Sequence, residues 1–308
     1  MFTTHLLRSP FVCLLLIGLF ISCKDHLTPG SPSDRLRVKS ITQAISPNAI
    51  TGGTTSVTTV SEFTYDLQGR LASINTNQTP DNTIGPVEKS VYQYDAQNRF
   101  IQLRRDIDTR NPNNPTLYEV YKYSYNAAGQ VSGINYTNSN NGTFFNVNLN
   151  YNGVNQLIGS TKSFSFAPLS YQRAQTYSYT GNNLTGIVTN TQTNFSPSGT
   201  SNITYTFDDK VNPFYGVYLI PAPLPNTSFP SLLSGNGFTY YTYYGGLDNP
   251  LNLSQNNLLN AQPLSQPTTY TYTYNGANLP TSRVTTATNT ASNITAVIET
   301  LYYTYESY

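Results

Sequence analysis

Along most of this chain apolar and polar residues alternate one for one. Tyr121, Tyr123 and Tyr125 share one parity while Lys122 and Ser124 take the other, and Tyr270, Tyr272 and Tyr274 against Thr271 and Thr273 repeat the arrangement. A period of two is what a strand with one buried face requires. Helix-period patterning is absent and clusters of Gly and Asn separate the alternating runs. The pattern therefore predicts an all-β chain of about sixteen strands, the first over 36–45.

The alternation itself recurs along the chain. Phe63-Thr64-Tyr65-Asp66-Leu67-Gln68-Gly69-Arg70-Leu71 returns as Tyr92-Gln93-Tyr94-Asp95-Ala96-Gln97-Asn98-Arg99-Phe100 and as Tyr123-Ser124-Tyr125-Asn126-Ala127-Ala128-Gly129-Gln130-Val131. Looser copies centre on Tyr151, Tyr179, Phe207, Tyr274 and Tyr305. The anchor aromatics stand at positions 65, 94, 125, 151, 179 and 207, a repeat of roughly 28 residues. The next anchor, Tyr274, falls more than two periods later. An insertion of about forty residues interrupts the series there.

Each copy has a local explanation. Asp or Asn after the aromatic accepts hydrogen bonds from the backbone ahead of it and starts a turn, and Gly69, Gly129, Asn98 or Asn155 tolerates positive φ. The motif reads as strand, tight turn, strand. On the return strand apolar residues stand three apart, as in Leu71 with Ile74, Val131 with Ile134 and Leu184 with Ile187. Three is the wrong parity for one face, so a bulge just after the turn is expected. Sequential hairpins give a long antiparallel meander. Twist accumulates over so many strands, and the expected form is a single, strongly curled sheet with its Tyr-rich face inward.

Residues 1–34 have a different character. Arg8 precedes the apolar run Phe11 to Ile21, which is eleven residues long and too short for a bilayer, which needs roughly 20. Residues 1–22 thus read as a secretory signal peptide. The run ends Phe20-Ile21-Ser22-Cys23, which resembles a bacterial lipobox and implies lipid attachment at Cys23. Lys24-Asp25 is similar to the charged signal that sends Bacteroidetes-type lipoproteins to the outer membrane, in some cases to its outer face. Residues 23–34 contain Pro29, Gly30 and Pro32 and read as a flexible tether that holds the folded domain off the membrane. Residues 35–308 are then the β-repeat domain, with a Pro-rich insertion at about 212–267.

Tyr65-Asp66-Leu67-Gln68-Gly69-Arg70-Leu71, with Tyr94-Asp95 and Arg99, resembles the YD-repeat or RHS-repeat proteins. The match is good over roughly 60–210 and looser after that, where Asn or Thr replaces Asp and the Arg is lost. Large RHS proteins form shells of such hairpins around a toxic cargo. This shorter chain, which ends in a strand at 301–308, is more similar to Bacteroidetes-type lipoproteins of unknown function built from a few repeats. The resemblance brings no activity, cofactor or catalytic residue with it.

Composition narrows the chemistry. Lys and Arg number 16 against 15 Asp and Glu, so the excess of positive charge that nucleic-acid binding requires is missing. After cleavage Cys23 is the sole cysteine and His26, in the tether, the sole histidine, which leaves no Ser-His-Asp or Cys-His arrangement within the domain. Carboxylates alone remain. Asp106 and Asp108 are surrounded by Arg104, Arg105 and Arg110 and read as a solvated loop, and Asp208-Asp209 occupies a repeat turn. A carboxylate-only hydrolase at Asp208 or Asp209 is the weakest alternative. No metal or cofactor is expected.

Two partner surfaces are expected. One is the membrane, reached through the lipid. The other is the insertion, which carries Tyr215, Tyr218, Tyr240, Tyr241 and Tyr243 among its prolines. Capping one mouth of the sheet explains such a segment, and stacking of Tyr and Asn side chains on a sugar ring, or contact with a protein, is the functional alternative. The expected function is a non-catalytic, lipid-anchored scaffold or binding module at the outer membrane or cell surface. A transmembrane barrel is disfavoured because the face opposite the Tyr rows is Thr, Ser, Asn and Lys.

Overall fold

The computed structural model describes residues 36–45, 47, 56–79, 88–107, 117–138, 142–166, 169–195, 197–216, 250–262 and 267–308. The strands are β1 (Leu36–Ile45), β2 (Val57–Tyr65), β3 (Leu71–Thr79), β4 (Glu88–Tyr94), β5 (Phe100–Ile107), β6 (Leu117–Tyr125), β7 (Val131–Asn138) and β8 (Gly142–Tyr151). They continue as β9 (Leu157–Phe166), β10 (Leu169–Thr180), β11 (Asn183–Thr193), β12 (Gly199–Val211), β13 (Asn256–Gln262), β14 (Thr268–Tyr274), β15 (Pro280–Asn289) and β16 (Ile294–Ser307). A short helix, α1 (Pro250–Leu253), precedes β13.

Each strand pairs antiparallel with its sequence neighbours, and β1 pairs with β16. The sheet is therefore a closed barrel, which corrects the expectation of a single sheet that only curls. Both terminal strands carry inward apolar residues, Val38 and Ile41 on β1 and Leu301 and Tyr303 on β16. As free edges they would leave backbone donors and acceptors unpaired; closure pairs them.

One register feature recurs at the hairpins of the tight-turn end. Tyr65 pairs with Leu71 and Thr64 with Ser73, so Ala72 is the extra residue of a bulge. Ile101, Ser132, Ile158, Thr185 and Thr281 are bulged in the same place opposite Tyr94, Tyr125, Tyr151, Tyr179 and Tyr274. Phe207 pairs with Leu258 and Thr206 with Asn260, so the insertion lies inside the sixth turn, and β13 is that copy's return strand. The bulges let the apolar residues three apart, Leu71 and Ile74, both face the interior.

The seam between the chain ends is an eighth copy. Tyr305 pairs with Val38 and Thr304 with Ser40, with Lys39 bulged. Glu306 and Arg37 form a 2.7 Å ion pair, as Asp66 and Arg70 do across their turn. Arg37 stacks on Tyr65 at 3.9 Å, as Arg70 stacks on Tyr94 at 4.3 Å. The last hairpin is thus assembled from the two ends of the chain.

The tight turns follow from their first residue. The Asp66 carboxylate accepts the amides of Gln68 and Arg70, both at 2.9 Å, and pairs with the Arg70 guanidinium. Asn126, Asn152 and Asn275 accept the equivalent amides without a charge. Gly69, Asn98, Gly129, Asn155 and Asn278 supply φ between 59° and 77°. Burial pulls the Asp66 carboxyl upward, but the Arg70 amide and guanidinium outweigh it and hold the carboxyl below its usual range.

Successive copies are joined through the anchor hydroxyls. Tyr65, Tyr94, Tyr125, Tyr179 and Tyr305 donate to the backbone carbonyls of Val38, Leu71, Phe100, Leu157 and Pro280 at 2.6 to 2.9 Å. In each case the acceptor is the first return-strand residue of the copy before. Burial pushes the Tyr94 hydroxyl up to about 12, so it remains a donor at neutral pH.

Asp66→Asn is expected to retain the turn, as Asn126 does, and to cost under ~1 kcal/mol through the lost ion pair. Asp66→Ala leaves two amides without their acceptor and should cost ~1–2 kcal/mol. Urea unfolding of the two variants measures the difference, and equal losses would contradict the role given to the side-chain oxygen.

Candidate functional site

The outward rows are predominantly polar, with Val188, Val297 and Tyr302 among the exposed exceptions. Thr64, Gln93, Lys122, Ser124, Asn148, Gln172, Thr176 and Thr273 are exposed. Several outward side chains bond across strands, among them Thr64 with Ser73 at 2.7 Å, Gln102 with Gln93 at 3.0 Å and Asn135 with Asn146 at 2.8 Å. Lys39, Lys89, Arg104 and Lys122 also point outward within strands. A cationic residue facing lipid at the bilayer midplane costs roughly 2–4 kcal/mol, so this exterior suits water.

The inward rows are buried. Ile41, Leu184 and Leu301 are 0% exposed and Leu103 is 1% exposed. Sixteen-stranded porins leave an aqueous channel, whose lining is wet; at these levels the present barrel is packed. Further from the tight turns the inward positions become polar. Arg105 on β5 binds Glu88 on β4 at 2.7 Å and Glu119 on β6 at 3.0 Å. Glu119 also accepts the hydroxyls of Tyr121 and Tyr136, each at 2.9 Å. Near the seam, Arg283 on β15 meets Glu299 on β16 at 2.5 Å, and Gln43 on β1 donates to the same carboxylate at 2.8 Å.

These groups are consumed by one another. Burial raises the Glu88 carboxyl above its usual range, and the Arg105 charge only partly opposes it. Such an arrangement holds three strands in register and offers no free acid or base. Arg105→Met should cost ~3–5 kcal/mol, because it leaves two buried carboxylates facing each other. An acid whose folded pKa is raised contributes stability that is lost as pH rises above the usual carboxylate range. The loss should consequently be smaller near pH ~5 than near pH ~8, as thermal unfolding at the two pH values would read out.

A small cleft opens at the tight-turn end, lined by Tyr151, Asn155, Gln156, Leu157, Tyr179, Asn182, Tyr215 and Leu253. Three segments build it. Tyr151 to Leu157 is the fourth turn, Tyr179 and Asn182 flank the fifth, and Tyr215 and Leu253 come from the two ends of the insertion. Amides stitch the insertion to the barrel. Asn183 and Asn256 exchange bonds at 2.9 and 3.1 Å, Ser254 accepts the Leu184 amide at 3.1 Å, and Asn212 donates to the Ser254 carbonyl at 2.9 Å. Gln156 is fixed by Asn152 and by the Gly181 carbonyl. Burial raises the Tyr215 hydroxyl above its ordinary value.

Of the residues singled out in the sequence, Tyr215 is therefore at a cleft. Cys23, Tyr218, Tyr240, Tyr241 and Tyr243 lie outside the described residues, as does Asp108. Asp208 and Asp209 do not act together. Asp208 is bound by the Lys210 and Asn257 amides, both at 3.0 Å, and by the Tyr274 hydroxyl, whereas the Asp209 side chain is 86% exposed beside Lys210. Asp106 pairs outward with Arg104 at 2.9 Å. Among the described residues no three His, Cys, Asp or Glu side chains come together. Tyr151 and Tyr179 were legible only as repeat anchors; nothing local marks them as neighbours of Leu253, which is distant from both in the chain.

No protein-family model and no curated protein matches the chain. Solved structures do. A porin-like protein from Bacteroides uniformis superposes with a TM-score of 0.54 at 16% identity, over 87% of this chain and 96% of that one. The likeness is one of fold. A porin-like protein from Bacteroides vulgatus follows at TM-score 0.45 and 10% identity, over 89% of this chain and 100% of that one. The TcdB2-TccC3 structure matches at TM-score 0.32 and 16% identity, over 82% of this chain and 15% of that one.

Proposed function

We propose that this is a non-catalytic, lipid-anchored β-barrel protein of the outer membrane or cell surface, serving as a scaffold or binding module. The observation that carries the reading is the polar exterior of a closed barrel with a packed interior. Such a barrel neither faces lipid nor conducts freely, so membrane attachment has to come from elsewhere, and Cys23 after the short apolar run supplies it. The porin-like fold of the Bacteroides uniformis protein agrees with an envelope location, while the wall of this barrel differs from a lipid-facing one. The buried carboxylates are tied to arginines and hydroxyls, which supports a role without catalysis. Labelled palmitate should enter the wild-type protein in cells and be absent from Cys23→Ser; an unlabelled wild type, or a barrel that folds only in detergent, would overturn the reading.

A second reading concerns the partner. The cleft sets Tyr151, Tyr179 and Tyr215 beside Asn155 and Asn182, and aromatic faces with adjacent amides suit a sugar ring. Glycan-array binding should be lost in Tyr215→Ala and kept in Lys122→Gln, whose side chain is on the outer wall. An array without signal for the wild type removes the carbohydrate reading and leaves anchoring untouched.

A further inference from the structure

The Asp and Arg that open and close the first two tight turns are replaced by amides where the cleft lies. Asn126 and Gln130 take their places in the third turn, and Asn152 and Gln156 in the fourth. None of the residues lining the cleft is Asp, Glu, Lys, Arg or His. Backbone donors then fix which way these amides point. Asn126 Oδ1 accepts the Ala128 and Gln130 amides, so its Nδ2 is the atom that donates to Gln130 Oε1, at 2.7 Å. Gln130 Nε2 in turn donates to Asn155 Oδ1 at 2.7 Å. The side chain of Asn155 is thereby left with its Nδ2 donor and, among the described residues, nothing for it to donate to. One step further along, Gln156 Nε2 donates to the Gly181 carbonyl at 2.8 Å and ties the fourth turn to the fifth. Asn182, beside Gly181, donates to Gln255 Oε1 at 3.0 Å and keeps its Oδ1 as an acceptor without a donor among the described residues.

The cleft therefore combines one amide donor, one amide acceptor and the apolar surface of the buried Leu157 and Leu253. An acetamido group is the complement of that set, since it carries a carbonyl, an N–H and a methyl. We infer that the cleft receives the N-acetyl group of an amino sugar, with Asn155 donating to its carbonyl, Asn182 accepting its N–H and the methyl set against Leu253. The inference rests on the carbohydrate reading above and narrows it to one class of sugar. The cleft is small, which suits a substituent of this size with the ring against the tyrosine faces. A carboxylate or ammonium would enter without a counter-charge, and a plain hydroxyl brings neither the carbonyl nor the methyl. The turns that kept their charges differ. Asn98 holds the position equivalent to Asn155 and accepts from Arg70 at 2.7 Å, but the Asp95–Arg99 ion pair closes its turn.

The test is isothermal titration calorimetry of the full chain with triacetylchitotriose and with cellotriose, trisaccharides that differ in having acetamido or hydroxyl groups at C2. Triacetylchitotriose should bind at least about tenfold more tightly, the order expected of a hydrogen bond with a buried methyl. Asn155→Asp should lose that preference, because its carboxylate still accepts from Gln130 but offers no N–H to the ligand. Asn98→Asp makes the same change outside the cleft and should retain it. Equal affinity for the two sugars, or an unchanged preference in Asn155→Asp, would overturn the inference and leave the carbohydrate reading standing. Binding of neither sugar would remove both. Tighter binding of N-acetylglycine N-methylamide than of triacetylchitotriose would assign the cleft to a peptide and likewise overturn it. The wild-type comparison decides between these outcomes whether or not the variants fold.

Discussion

The hydrogen bond to the preceding copy that Tyr65, Tyr94, Tyr125, Tyr179 and Tyr305 make is the contact on which the barrel depends. A hairpin on its own is marginal in water. Here the hydroxyl of Tyr94 reaches back to the Leu71 carbonyl and the Arg70 guanidinium covers the same ring, so the first turn is held by the second. The acceptor is the first residue after the tight turn, where the bulge interrupts regular ladder pairing. Bulge and tyrosine are therefore parts of one device, the first bending the return strand and the second satisfying the carbonyl it leaves beside the turn.

Repetition of that device explains closure. The recurring bulges bend the sheet in one sense, and the two chain ends carry the two halves of one more motif. Tyr305 and Glu306 on β16 meet β1, where Arg37 and Val38 arrive in the position that Arg70 and Leu71 occupy after Tyr65 and Asp66. Closing the barrel costs little beyond ordering these ends, because the contacts at the seam are those already made at the other junctions.

The interior divides by height. Near the tight turns, aliphatic and aromatic side chains fill the space; further away, Glu88, Arg105 and Glu119 on one wall and Gln43, Arg283 and Glu299 on another satisfy each other across adjacent strands. Burying charge in this way adds little stability compared with a packed apolar cluster, but it penalises register slips heavily, since a shift of one residue would turn Arg105 outward and strand two carboxylates. Against that regularity, the insertion in the sixth turn is where the repeat departs from its own pattern, and the tyrosine cleft lies there.

The strands, their inward parity, the turn residues and the bulge were all readable from residues a few positions apart, because period-two alternation, Asx acceptors and positive-φ positions act locally. Strand β1 at 36–45 and the inward Tyr rows follow from that alone. Closure did not, since a strand such as β16 looks the same in sequence whether its edge is free or paired with a strand from the opposite end of the chain. The sequence also marked 212–267 as one insertion, whereas the fold takes 256–262 back as the return strand of copy six; Leu258 takes the place of Leu71 there, but the residues between hide the spacing. Which charges meet is likewise a matter of lateral register. Arg105 lies opposite Glu119 and Arg173 opposite Lys162, a difference set by the pairing of neighbouring strands and not by the residues local to either arginine.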